Sequence, residues 1–131
     1  MTQTDNIVEN DLSYIIRGCV FDVYNELGPV LLESIYEAAL AYELIQKGLN
    51  VKTQVGLPVK YKDTQLDIGY RIDILVEDKV IIELKSIETI LNVHHKQVLT
   101  YLKLTKIKLG LLVNFNTDDI SKSIYRKVNN L

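Results

Sequence analysis

Between residues 11 and 27 the apolar positions Leu12, Ile15, Ile16, Cys19, Val20, Val23 and Leu27 recur every three or four residues. That spacing lines one face of an α-helix. Asn10 or Asp11 is placed to cap its start, and Gly28-Pro29 ends it. A second helix is expected over 31–47, rich in Leu, Ala and Glu and closed by Gly48. Glu33 and Glu37 fall in its first turns, where the helix dipole favours negative charge. The pattern then changes to strict alternation. Val51, Thr53, Val55, Leu57, Val59 and Tyr61 share one face of an expected strand, with Lys52, Gln54 and Lys60 on the other. Pro58 marks that strand as an edge or a bulge.

Two further strands are expected over 68–76 and 80–85, joined by Glu77-Asp78-Lys79 after a turn near Asp63. With a three-residue loop Val76 faces Val80, Ile74 faces Ile82 and Ile72 faces Leu84, so one face is wholly apolar. The other face carries Arg71, Asp73, Leu75, Ile81, Glu83 and Lys85, with Asp73 directly opposite Glu83. A two-residue loop would slip the register and separate the two carboxylates. The apolar pattern thus selects the register that brings them together.

A helix follows over 93–104, then a strand over 108–115. Thr117 is expected to cap a last helix with Ile120, Ile124 and Val128 as its buried stripe. The order reads α-α-β-β-β-α-β-α, with a helical crossover that sets the fourth strand parallel to the third. The fold class is α/β, a mixed four-stranded sheet flanked by helices. One domain spans 1–131, with 1–10 as a flexible N-terminal tail.

Composition narrows the setting. At 131 residues and 47% apolar, the chain can build a real core. It holds no apolar run long enough to span a membrane and no signal peptide, so no membrane partner is expected. The lone Cys19 reads as a small core residue, which favours the cytoplasm. A net charge of −2 argues against a protein that coats polyanions, although a groove alone can be basic. Lys96, Lys103, Lys106, Lys108, Lys122, Arg126 and Lys127 all follow the hairpin, as solvated faces or in part as a phosphate track.

Two carboxylates and a lysine are costly to place on an element built for burial unless something pairs with them. A divalent metal would pair with Asp73 and Glu83, and a phosphate with the metal and Lys85. The bland alternative is a cross-strand ion-pair ladder of Arg71, Asp73, Glu83 and Lys85 on a solvated face. Glu33 alone reads as a helix N-terminal acid, and Tyr36 and Tyr101 as core aromatics with a hydroxyl at the rim. Gln97 alone could cap a strand edge. His94 and His95 are adjacent, so at most one of them belongs to a site.

The Asp73…Glu83-x-Lys85 set on this element order resembles the PD-(D/E)XK nuclease superfamily, the restriction-endonuclease-like fold. "GPVLLESIYEAAL", "LPVKY", "GYRIDILVEDKVIIELKSIE", "VHHKQVLTYLKLT" and "KLGLLVNF" resemble, block by block over 11–116, the bacterial and archaeal GxxExxY proteins. Two positions depart from the pattern. Val30 stands where that family has Gly, disfavouring a left-handed backbone at the start of the second helix. Ile72 stands where the superfamily's name has Pro.

The resemblance implies a Mg²⁺- or Mn²⁺-dependent nuclease acting on nucleic acid, DNA before RNA. Asp73, Glu83 and the carbonyl of Leu84 would hold the metal, with Glu33 as a further ligand, directly or through a water. Lys85 would orient the nucleophile and stabilise developing charge. Gln97 and Tyr101 resemble the Gln-x-x-x-Tyr motif that contacts substrate in the exonuclease-like branch. His94 would reach a phosphate or the metal-bound water, and Tyr36 would sit beside Glu33 at the substrate side. The alternative is a catalytically weak or inactive nucleic-acid-binding module of the same fold, acting in a complex or as a homodimer. A third reading is a structural dimer built on an exposed fourth strand or the last helix.

Overall fold

The computed structural model describes residues 7–131, apart from the side chains of 67 and 68. Helix α1 spans Glu9–Leu27 and buries Leu12, Ile16, Cys19, Val20 and Val23. Its stripe is the expected one, but Val8 occupies the N-cap position and no side chain caps it. Of the expected tail over 1–10, residues 1–6 lie outside the described residues. Ile7 already packs against the core, and Glu9 and Asn10 are helical. Helix α2 spans Glu33–Gln46 and buries Tyr36, Leu40, Ala41 and Leu44.

Strands β1 (Val51–Tyr61), β2 (Thr64–Val76) and β3 (Val80–Lys85) form an antiparallel meander. The β1 register shifts between Pro58 and Lys60, as the proline suggested. Helix α3 (Asn92–Thr105) crosses to β4 (Leu109–Asn114), which pairs parallel to β3. A single 3₁₀ turn at Ile120–Lys122 leads to β5 (Ile124–Val128), antiparallel to β4. The sheet order is β1-β2-β3-β4-β5.

Two of these elements correct the sequence reading. The expected last helix is a turn and a fifth strand. The spacing of Ile120, Ile124 and Val128 is even, so it fits a strand as well as a helix. Asp119 Oδ1 accepts the Ser121 N–H at 3.1 Å, which closes a tight turn. β4 is consequently an interior strand, wholly buried, and offers no exposed edge for a dimer.

The sheet is covered on both faces. On one, α1 and α2 bury Ile74, Val76, Val80, Ile82 and Leu84 together with Leu109, Leu111 and Val113. On the other, α3 lays Tyr101 and Leu102 over Ile72, Leu75 and Ile81. Gly110 sets how closely α3 lies on β4, because a Cβ there would come within 2.6 Å of Val98 Cγ1.

The side-chain alternation of β2 also departs from expectation. Ile72 belongs to the α3 face, whereas Ile74 and Val76 face α1 and α2. Residues two apart should share a face. β1 switches in the same place, with Val51 on the α1 and α2 side and Val55 on the α3 side. Between them Gln54 adopts a left-handed backbone at φ 53°. The β1–β2 pairing skips Gln54 and Asp73 while keeping its register on either side. The strict alternation expected for β1 therefore breaks at Gln54, and the wholly apolar face expected for the hairpin ends at Ile74.

Candidate active site

The turn over 77–79 and the register Val76↔Val80 and Ile74↔Ile82 are as the apolar pattern required. There the ladder between β2 and β3 stops, and side chains take over. Glu83 Oε1 accepts the backbone N–H of Asp73 at 3.0 Å. Asp73 Oδ2 accepts the backbone N–H of Leu84 at 2.8 Å. Each carboxylate thus replaces a ladder bond of the opposite strand, and the parity break at Asp73 makes the exchange possible. The two acids converge as the sequence reading expected.

Their environments differ. Glu83 is buried at 3% exposure while Asp73 is half-buried. Burial pushes the Glu83 carboxyl up to about 8, and the neighbouring Asp73 charge adds to this. The Asp73 N–H and the Lys85 ammonium pull it back only in part. Lys85 is half-buried at the end of β3, where its carbonyl accepts the Phe115 N–H at 2.9 Å.

Glu33 opens α2 and is exposed. Its Oε2 accepts the Ser86 N–H at 3.3 Å, so it meets the end of β3 one residue beyond Lys85. Ser86 Oγ donates to the Leu31 carbonyl at 2.6 Å and fastens the start of α2 to the same point. Tyr36 is fully buried and stacks on Phe115 with ring centroids 4.2 Å apart. Its hydroxyl donates to the Gly28 carbonyl at 2.5 Å and accepts the Leu31 N–H at 3.1 Å. Tyr36 therefore clamps the loop that presents Glu33, and it has no surface to offer a substrate. Within that loop Val30 takes the left-handed backbone it was expected to avoid, at φ 67°.

On the opposite side α3 supplies Gln97 and Tyr101. Gln97 Nε2 donates to the Tyr101 hydroxyl at 2.8 Å. Burial pushes the Tyr101 phenol up to about 12, and the charges of Glu83 and Asp73 contribute. The phenol therefore sits neutral within electrostatic reach of both acids. His94 lines a cavity beside Gln97, and its Nδ1 accepts the Leu91 N–H at 2.9 Å. His95 turns away and meets Tyr125 edge-on at 5.0 Å.

Sequence reasoning missed Glu37 and Gln54. Gln54 Nε2 donates to Glu37 Oε1 at 2.5 Å and lies 3.4 Å from Asp73 Oδ1. The amide bridges two carboxylates. Burial raises the Glu37 pKa, the Gln54 bond opposes this, and the Asp73 charge raises it further. The i,i+4 spacing of Glu33 and Glu37 was a legible signal. Gln54 gave none, because alternation placed it on a solvated face. Ser86 was also missed.

The donor chemistry fits a hard cation. Asp73 and Glu83 offer carboxylate oxygens. The Leu84 N–H points toward β2, so its carbonyl points to that edge too, beyond the end of the ladder. Mg²⁺ is held by one or two carboxylates plus water and phosphate more often than by an all-protein cage. Among the described residues no three His, Cys, Asp or Glu side chains converge as such a cage. Glu33 does not join Asp73 and Glu83 in one donor set, since its carboxylate is turned to Ser86.

In comparisons with known proteins, a family model described as the PD-(D/E)XK nuclease superfamily matches residues 10–127. No curated protein and no solved structure matches.

Proposed function

Because the chain belongs to the PD-(D/E)XK nuclease superfamily, we propose that it hydrolyses phosphodiester bonds in DNA with a divalent ion, Mg²⁺ or Mn²⁺. The observation that carries this reading is the convergence of Asp73 and Glu83 at the end of a ladder, with Lys85 on the same strand. A buried acid raised to about 8 next to a second acid is a costly arrangement that a cation would relieve.

In this reading Asp73, Glu83 and the Leu84 carbonyl hold the ion. The ion, when bound, polarises the phosphate and acidifies a water. Lys85 stabilises negative charge on the scissile phosphate. Glu33 orients a water at the Ser86 side. Gln97, Tyr101 and His94 contact the nucleic acid, and Tyr36 positions the Glu33 loop. The block pattern around Glu33 and Tyr36 supports the GxxExxY subgroup. No described helix is long and apolar enough to cross a membrane, and the buried Cys19 suits a reducing cytoplasm. A second copy or a protein partner would extend the nucleic-acid grip.

Labelled DNA and RNA, incubated with Mg²⁺, Mn²⁺ or chelator, test the proposal. Cleavage should require the metal and disappear in Asp73→Ala and Lys85→Ala. Cleavage unchanged in both variants refutes it.

One observation favours the second reading, a weak or inactive module acting in a complex. Both acids already spend an oxygen on backbone N–H groups, and Glu83 is held neutral to about 8. Calorimetry separates the two, because the module would bind no Mn²⁺ at millimolar concentration.

A further inference from the structure

Between β2 and α3 a cavity of about 350 Å³ opens, lined by Tyr70, Val93, His94, Lys96, Gln97 and Thr100. We propose that it receives one unpaired nucleobase of the substrate, stacked on Tyr70, with the adjoining phosphate against Lys96. The enzyme then acts on single strands or frayed ends rather than on intact duplex. This rests on the nuclease reading and adds the substrate class.

The cavity is tied to the carboxylates through one side chain. The Tyr70 ring lies against Tyr101, with centroids 5.4 Å apart and planes inclined by 59°. The Tyr101 hydroxyl accepts from Gln97, which lines the cavity, and feels the charges of Glu83 and Asp73. A nucleotide seated here would have its neighbouring phosphodiester beside the acids.

Packing on Tyr101 covers Tyr70 only in part. It is a large aromatic that remains 43% exposed on a strand. The backbone holds it there by close approach. A Cβ on Gly69 would lie 2.1 Å from the Leu57 carbonyl oxygen, so β1 and β2 can close at this point only because residue 69 is glycine. Leu57 pairs with Tyr70 one residue before the β1 register shifts.

The other walls supply what a nucleotide needs besides a π-face. Lys96 is exposed, and its ammonium pairs with no carboxylate among the described residues. His94 Nδ1 is an acceptor, so the neutral ring carries its proton on Nε2, a donor for a phosphate or base oxygen. Val93 and Thr100 add a small mixed wall. The volume is near the lower limit of ordinary ligand pockets, which run from roughly 300 to 1,000 Å³. It suits one base. A base inside a duplex exposes only its groove edges, so it must leave the stack to enter.

The test uses oligonucleotides carrying 2-aminopurine, with Ca²⁺ in place of Mg²⁺ to hold the strand uncut. Stacking on Tyr70 should quench the fluorophore in a single strand or overhang, and a blunt duplex of equal length should bind more weakly. Tyr70→Ala should weaken binding roughly tenfold and abolish the quench, and Tyr70→Trp should restore both. Should Tyr70→Ala not fold, the exposed Lys96→Ala carries the test, with weaker binding and a shallower salt dependence. Equal affinity for duplex and single strand, or a quench unaffected by Tyr70→Ala, overturns the inference. Quenching without cleavage by any metal would overturn the nuclease reading alone. Cleavage without quenching would overturn the subsite alone.

Discussion

Glu83 accepts the backbone N–H of Asp73 through Oε1 at 3.0 Å, so one acid of the site is anchored by the other residue's main chain. Asp73 returns the bond one residue on, accepting from Leu84 at 2.8 Å. Neither acid can move without freeing a donor of the opposite strand, which makes the pair rigid before any ligand arrives. Rigidity of this kind lets a site act without reorganising.

The raised pKa of Glu83 fixes a pH dependence. From the ordinary 4.5 up to about 8 the folded chain keeps a proton that the unfolded chain has lost. Stability of the metal-free protein should therefore be full below the usual carboxylate range and fall as pH rises toward about 8. Thermal melts from pH 5 to 9 should show this slope, and Glu83→Gln should flatten it. An unchanged slope in the variant contradicts the assignment.

Metal should reverse the trend, because it needs the ionised acid and displaces the proton. The midpoint gain on adding Mg²⁺ or Mn²⁺ should be larger at pH 8 than at pH 6. At a concentration 100 times the dissociation constant it corresponds to about 2.7 kcal/mol. Asp73→Ala should lose the gain at both pH values in the same melts.

Gln54 holds Asp73 Oδ1 and Glu37 Oε1 with one amide. Gln54→Ala leaves two acids facing each other and loosens Asp73. We expect kcat to fall by about 10- to 100-fold, with KM and melting midpoint little changed. Steady-state kinetics on the variant decide this, and Gln54→Glu should be worse because it adds a third charge.

Val30 sits at φ 67°, a backbone that costs a β-branched residue about 1–2 kcal/mol. Its side chain is 73% exposed and gives little packing in return. Val30→Gly should raise stability by about 1 kcal/mol in denaturant unfolding. Tyr36→Phe should lower it by about 1–2 kcal/mol, since the Gly28 carbonyl and Leu31 N–H both lose their partner.

Much of this was legible in the chain. The apolar stripe of α1, the turn over 77–79 and the register through Ile74↔Ile82 follow from periodicity alone. Pattern failed where a tertiary event broke the period. The left-handed Gln54 flips both strands of the β1–β2 pair, which sends Ile72 to α3 and swings Asp73 toward the Leu84 N–H. No local signal announces it. The last segment misled for a different reason, since Ile124 and Val128 satisfy period two and helical spacing alike. Glu37 was visible by spacing from Glu33, but its link to Asp73 runs through Gln54 and exists only in three dimensions.

In the proposed site Asp73 and Glu83 would hold one divalent ion. Anomalous diffraction from crystals soaked in Mn²⁺ addresses it most directly. We expect a single strong peak between the two carboxylates that vanishes in Asp73→Ala. A soaked crystal with no peak there, from a preparation that cleaves DNA and still cleaves it after Asp73→Ala, would contradict metal binding by this pair.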